Sequence, residues 1–207
     1  MGRKWFAVVF LCGLVLVGAV RLAFAASEEY FFLDTIDEAN GQSKYAYGGI
    51  TTFEIDKSGA KSGEACLMAV LDCTQWSGAA IGHQPLIDLT KFKKPAIEFW
   101  VKGAEGGENF EVILLDSDNS DGNRTQIGLM ASPNHVKVTK EWQKVVIPLS
   151  AYPKKGSYWD DAAKKMVSSD FNPAELNEIK FAVGPGYNKG KQSVVVYVDD
   201  VKVVEQQ

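Results

Sequence analysis

The chain has little of what most protein chemistry requires. Its 207 residues include three cysteines, two histidines and four methionines. Cys12 lies in the apolar opening stretch, which leaves Cys66 and Cys73 in the rest of the chain. So few cysteines exclude a disulfide-stapled scaffold. If Cys66 and Cys73 share one extended strand, seven steps of ~3.3 Å separate them by about 23 Å, too far to bond. The intervening Leu67-Met68-Ala69-Val70-Leu71 reads as strand, so two free, apolar-like thiols are expected. His83 and His135 stand far apart, without a partner at metal-binding spacing. There is no GxSxG elbow, and neither cysteine carries a protease signature. The acidic run Asp116–Gly122 has its glycine one residue late for an EF-hand and Ile127 in place of the closing glutamate, so it reads as a hairpin turn. Carboxylates are plentiful but unpatterned, and composition leaves a glycosidase pair open without supporting it.

A basic surplus is also absent. Lys and Arg number 22 against 26 Asp and Glu, a formal net charge of −4. No basic stripe exists to track a phosphate backbone, so nucleic acid is not an expected partner. Long apolar runs are missing beyond the first residues. Trp5 to Val20 is apolar, follows Arg3 and Lys4, stops at Arg21, and leads to Ala23-Phe24-Ala25. The run is short of the ~20 residues of a membrane span, and small-x-small is a cleavage pattern. A signal peptide over residues 1–25, cut after Ala25, is expected, with an uncleaved anchor as the alternative. The remaining residues 26–207 have the length of a single β-domain. Losing Arg3, Lys4 and Arg21 takes three positive charges from −4 and leaves about −7. Such a chain is secreted or extracytoplasmic, in the periplasm or at the cell surface, without stable membrane insertion. Asn123-Arg124-Thr125 is a glycosylation sequon for a eukaryotic route.

What is present is short β-branched and alternating runs. Strands are expected at Tyr30–Asp34, Thr51–Asp56, Ala65–Leu71, Gly78–Gln84, Ile97–Lys102, Phe110–Leu115, Arg124–Met130, Trp142–Leu149, Glu178–Val183 and Ser193–Val204. Glycine-bearing turns separate many of them, among them Ser58-Gly59, Ser62-Gly63, Gly103–Gly107 and Pro185-Gly186. A single helical turn is expected at Asn172–Leu176, with Asn172 as N-cap and Pro173 first inside. Alternation assigns Ile97, Phe99, Val101, Val145, Ile147, Ile179, Phe181 and Val183 to a core between two antiparallel sheets. Val145, Ile147 and Leu149 alternate along the strand that carries Pro148. Pro148 lacks a ladder donor, which suits an edge or a bend. The strand then delivers Pro153–Ser169, read as a loop carrying Tyr158 and Trp159. In the last strand Asp199-Asp200 interrupts an apolar run, a costly pair unless a cation, backbone amides or a bulge satisfies it.

Several of these segments resemble a known family. Phe99–Gly103 (FWVKG), Glu141–Tyr152 (EWQKVVIPLSAY), Asn177–Val183 (NEIKFAV) and Val196–Val203 (VYVDDVKV) are similar to carbohydrate-binding modules of the jelly-roll, galactose-binding-like type, nearest to family 11. Leu33–Asp37 and Lys61–Leu67 match the opening of that family more loosely. The resemblance implies an all-β, antiparallel two-sheet jelly-roll sandwich and a secreted, non-catalytic protein. It would recognise a polysaccharide or glycan on a concave sheet face and its rim. It also implies a structural calcium where the first and last strands meet, with Asp37 and Asp199 as ligands. The same fold serves as a protein-assembly or adhesion module, the alternative function, and a small carbohydrate-active enzyme is a third. Sugars present flat C–H faces to aromatic rings. Trp76, Tyr158, Trp159 and Tyr187 fall in expected turns and loops, and are expected to form one binding rim. Trp100, off the parity of Ile97, Phe99 and Val101, either stands behind that rim on the sheet or lies under a loop. Tyr45 and Tyr47 either line the rim or pin a long loop, and Trp142, which begins the core strand of the family scaffold, is by that resemblance a packing residue.

Overall fold

The computed structural model describes residues 28–117 and 124–206. The expected signal segment, the expected turn from residue 118 to residue 122 and Asn123 of the sequon lie outside the described residues. The described strands are β1 (Glu28–Phe32), β2 (Ser43–Tyr47), β3 (Thr52–Asp56), β4 (Cys66–Asp72), β5 (Ser77–Ile87), β6 (Pro95–Gly103) and β7 (Glu111–Asp116). They continue with β8 (Gln126–Met130), β9 (Gln143–Pro148), β10 (Lys155–Asp160), β11 (Lys165–Asp170), β12 (Leu176–Val183) and β13 (Ser193–Glu205). A back sheet runs β3-β4-β13-β6-β9, with β1 joining the far half of β13. A front sheet runs β11-β10-β8-β7-β12-β5-β2. The two antiparallel layers are the expected sandwich.

Alternation explains the layers. Every residue expected in the core is at most 2% exposed, from Ile97 and Phe99 on β6 to Phe181 and Val183 on β12. Phe99 of the back sheet meets Phe181 of the front sheet edge to face at 5.3 Å, and Phe110 packs against Phe181 at 6.1 Å. Each buried ring contributes roughly 1.5–3 kcal/mol. These rings are therefore a main bond between the sheets. Cys66 and Cys73 are free and buried, and burial pushes the Cys66 thiol up to about 11. Asn172 caps a short 3-10 helix, Pro173–Glu175, accepting from the Ala174 amide at 3.1 Å. β9 is an edge strand of the back sheet and stops at Pro148, as a missing ladder donor requires.

Three expectations need correction. The segment read as a loop after Pro153 is a hairpin, β10 paired with β11 from Lys155↔Asp170 to Asp160↔Lys165. Its apolar residues come as adjacent pairs, Tyr158-Trp159 and Met166-Val167, so no hydrophobic alternation marks the strands. β2, between glycine-rich turns, was hidden in the same way. Trp142 is not core. It shares the parity of Lys144 and Val146, the outward side of β9, and lies half-buried with the Lys102 ammonium 4.7 Å from its ring. The same ammonium stands 4.8 Å from the Tyr197 ring.

The Asp199-Asp200 pair sits in a bulge, where the register shifts between Asp199 and Lys202 and Asp200 takes φ 49°. Asp199 is fully buried, and its Oδ2 accepts from the amides of Lys61 and Ser62 at 2.7 and 3.2 Å. Its Oδ1 accepts from the Asp200 amide at 2.8 Å, and Asp200 accepts from the Ser62 hydroxyl. Burial still raises the Asp199 acid above its ordinary value, with those amides pulling the other way. The bulge anchors the loop between β3 and β4, which lies over the back sheet. Lys61 covers the Trp100 ring at 4.5 Å, and Lys102 donates to the Gly59 carbonyl at 3.0 Å.

Candidate functional site

Strand pairing lays out the outer face of the front sheet row by row. One row reads Tyr47, Gly78, Ala182, Glu111, Met130, and the next Tyr45, Ala80, Lys180, Ile113, Gly128. A third reads Ser43, Gly82, Glu178, Leu115, Gln126, and continues through Ser157 and Ser168 of the hairpin. The residues between them, Ile81, Val112, Leu114, Ile179 and Phe181, point into the core. β5 contributes Gly78, Ala80 and Gly82, small buried positions over which neighbouring side chains such as Tyr47 and Ser43 fold. A Cβ at Gly78 would fall 2.5 Å from the Tyr47 hydroxyl oxygen, and one at Gly184 2.8 Å from the Trp76 ring. Both rings approach the backbone closely at positions that carry no side chain.

At one end of this face Trp76, 58% exposed, meets Tyr187 edge to face at 5.6 Å. Tyr187 donates its hydroxyl to Glu111 at 2.5 Å; burial and that carboxylate together raise its pKa. Behind Tyr187, Asn188 and Asn109 clamp two loops. The Asn109 amide donates to Asn188 Oδ1 at 2.8 Å, and Asn188 Nδ2 donates to the Asn109 carbonyl at 2.9 Å. Asp72 organises the turn that carries Trp76. Its carboxylate accepts from the Thr74 hydroxyl and amide at 2.6 and 2.9 Å, from Gln75 Nε2 at 3.1 Å, and from the Ile50 amide at 3.3 Å. The Thr74 bonds come first in holding its pKa down to about 2.

The centre of the face is polar. Glu178, 5% exposed, accepts from the Tyr45 hydroxyl at 2.6 Å and from both Arg124 guanidinium nitrogens at 2.8 and 2.7 Å. Lys180 lies 3.7 Å away, and its burial pushes its pKa down against the pull of Glu178. Burial, then Glu111 and Glu178, raises Tyr47 to about 12. Arg124, Lys180, Glu111 and Glu178 balance in charge, so this face attracts neither strong anions nor strong cations. Its donors and acceptors match hydroxyl groups.

The residues expected to form one rim are divided. Trp76 and Tyr187 come together. Trp159 lies on the same face at the opposite corner. Tyr158 points to the other side of the hairpin, across from Val167. Trp100 is on the back sheet, level with Lys144 and Asp199 and under Lys61, so the loop-covered alternative holds. The hairpin separates Tyr158 from Trp159 because neighbours on a strand face opposite ways. Of the two expected calcium ligands, Asp37 is exposed and Asp199 is buried in the bulge. Asp199 is engaged by three amide N–H groups, which compete with a cation. Among the described residues no group of three or more His, Cys, Asp or Glu stands ready to hold a metal. Glu178, Lys180, Arg124 and Glu111 were not among the expected site residues. The charges alternating with Ile179, Phe181 and Val183 on β12 were the signal for the first two.

The family described as Carbohydrate binding domain 30 matches residues 26–205. No curated protein matches the chain. Among solved structures, a family 30 carbohydrate-binding module aligns with a TM-score of 0.67 at 21% identity, covering 87% of this chain and 89% of that one. The family 30 module of a cellulosomal cellulase of Clostridium thermocellum aligns at 0.66 and 20% identity, covering 87% and 99%. A family 11 module from Clostridium thermocellum, in complex with a beta-1,3-1,4-mixed-linked tetrasaccharide, aligns at 0.59 and 14% identity, covering 87% and 97%. These likenesses establish the jelly-roll sandwich.

Proposed function

The chain belongs to the carbohydrate binding domain 30 family, and from that membership we propose that the outer face of its front sheet holds an extended polysaccharide. The observation that carries this reading is the exposed Trp76 ring, set edge to face on Tyr187 at the end of a face whose centre is the polar group of Tyr45, Glu178, Arg124 and Lys180. A sugar ring stacks on the exposed face of Trp76. Hydroxyls of the following units meet Lys180, Arg124 and the Glu178 carboxylate in the middle. The work is binding without catalysis. Glu178 and Glu111 are each held by a tyrosine hydroxyl, which supports fixed acceptors rather than an acid and base pair. Export after cleavage at Ala25 fits a family match that begins at residue 26. Location in the periplasm or at the cell surface then gives the protein access to polymers outside the cell.

Mixed-linked β-glucan, the ligand class of the family 11 neighbour, is the first polymer to test. Calorimetric titration of residues 26–207 should detect binding. Trp76→Ala should weaken it by about ten- to hundredfold, because ring burial is worth roughly 1.5–3 kcal/mol. The melting temperature should hardly move, since the ring is mostly exposed. Full affinity in that variant would place the ligand elsewhere. A screen that finds protein ligands and no glycan would favour the assembly role.

A further inference from the structure

The β10–β11 hairpin exposes two large apolar side chains on one of its sides. Trp159 is 53% exposed and Met166 46% exposed, and the two are directly paired across the hairpin. Directly paired residues point to the same side of a sheet. Ser157 pairs with Gln126, which stands on the outer face of the front sheet, so Trp159, two residues on, faces the same way. Continuing that register by two residues sets Trp159 opposite Arg124, whose guanidinium reaches Glu178 at the polar centre.

The hairpin is fixed at its base. A Cβ at Gly156 would fall 2.3 Å from the Gln126 carbonyl oxygen, so the strands approach closely there. Thr125 and Ser169 share a hydrogen bond of 2.7 Å. On the opposite side of the hairpin Tyr158 and Val167 are half-buried and supply its packing. Trp159 takes no part in that packing. Its Nε1 donates to Asp161 at 3.1 Å, which fixes the ring without covering it.

We infer that Trp159 and Met166 form an outlying sugar station that lengthens the front-sheet site and engages only longer chains. This inference rests on the front sheet being the glycan face. From strand rise and spacing, Trp159 stands roughly 30 Å from Trp76, at the opposite corner of the face. Occupancy of both corners therefore requires a chain of several units crossing the polar centre. The occupant is the continuation of the chain already on the sheet, because the row Glu178, Leu115, Gln126, Ser157 runs unbroken from the polar centre into the hairpin.

The test is a titration of mixed-linked β-gluco-oligosaccharides from trisaccharide to octasaccharide against wild type, Trp159→Ala and Trp76→Ala, with melting curves for each. Trp159→Ala should lose roughly tenfold for the longest oligosaccharides and nothing for the trisaccharide, at an unchanged melting temperature. Trp76→Ala should lose affinity at every length. Equal loss at all lengths in Trp159→Ala would overturn the outlying station. So would no loss at any length; if Trp76→Ala still binds poorly, the front-sheet reading survives that failure. Full affinity in both variants would overturn the station and that reading together.

Discussion

Glu178 is the residue on which the polar centre depends. It is nearly buried, yet accepts from a tyrosine and a guanidinium and stands beside a buried ammonium. A buried carboxylate is tolerable because those donors replace water. Glu178→Gln keeps the shape but leaves Lys180 and Arg124 facing each other without an anion. It should cost on the order of 3 kcal/mol, moderated because Arg124 is partly exposed. Denaturant unfolding checks this. Adding Lys180→Met should recover part of the loss, and additive losses in the double variant would show that the pair is uncoupled. Trp142 teaches a different lesson at this scale. Its resemblance-based role as packing gave way to parity, since it shares a side of β9 with two exposed residues. The parity was readable in Lys144 and Val146.

Turns and hairpins set the aromatic positions. The Asp72 turn links the strand exit after Tyr47 to the turn before β5, because one carboxylate holds Ile50, Thr74 and Gln75. Its pKa in the fold, about 2, lies below the ordinary carboxylate value of 3.8. A depressed acid contributes stability that is complete above the unfolded value and is lost as pH falls through the folded one. Melting temperature should therefore drop between about pH 4 and pH 2, and Asp72→Asn should flatten part of that drop. An unchanged acid limb in Asp72→Asn would remove this turn from the explanation. Strands with one buried face were legible in sequence: β6, β9 and β12 announced themselves by alternation. β2, β10 and β11 did not, because each is polar or glycine-flanked and gets its strand character from a neighbour. Tyr158 and Trp159 were expected side by side on one rim and lie on opposite sides for that reason, as a loop has no parity and a hairpin does.

For the whole molecule, the sandwich presents two outer faces that are built differently. The back sheet is crossed by the β3–β4 loop, which the Asp199 bulge holds through backbone amides. Because amides already satisfy that carboxylate, a strong chelator should leave the melting temperature unchanged, and calorimetry should find no stoichiometric calcium. A chelator-dependent fall in melting temperature would return an ion to this junction. Fold and family were legible in scaffold motifs such as Glu141–Tyr152 and Val196–Val203, since a jelly roll repeats its core pattern whatever it binds. The proposed binding face was not, because it is composed of the residues the core pattern leaves over.

That face is most directly tested by chemical-shift mapping of residues 26–207 with a mixed-linked β-glucan tetrasaccharide. Amide shifts should cluster on the rows of Tyr47, Ala80, Lys180 and Glu178 and at Trp76 and Tyr187, leaving Trp100, Lys102 and Lys144 unmoved. Shifts concentrated around Trp100 and Lys144 on the back sheet would contradict the account.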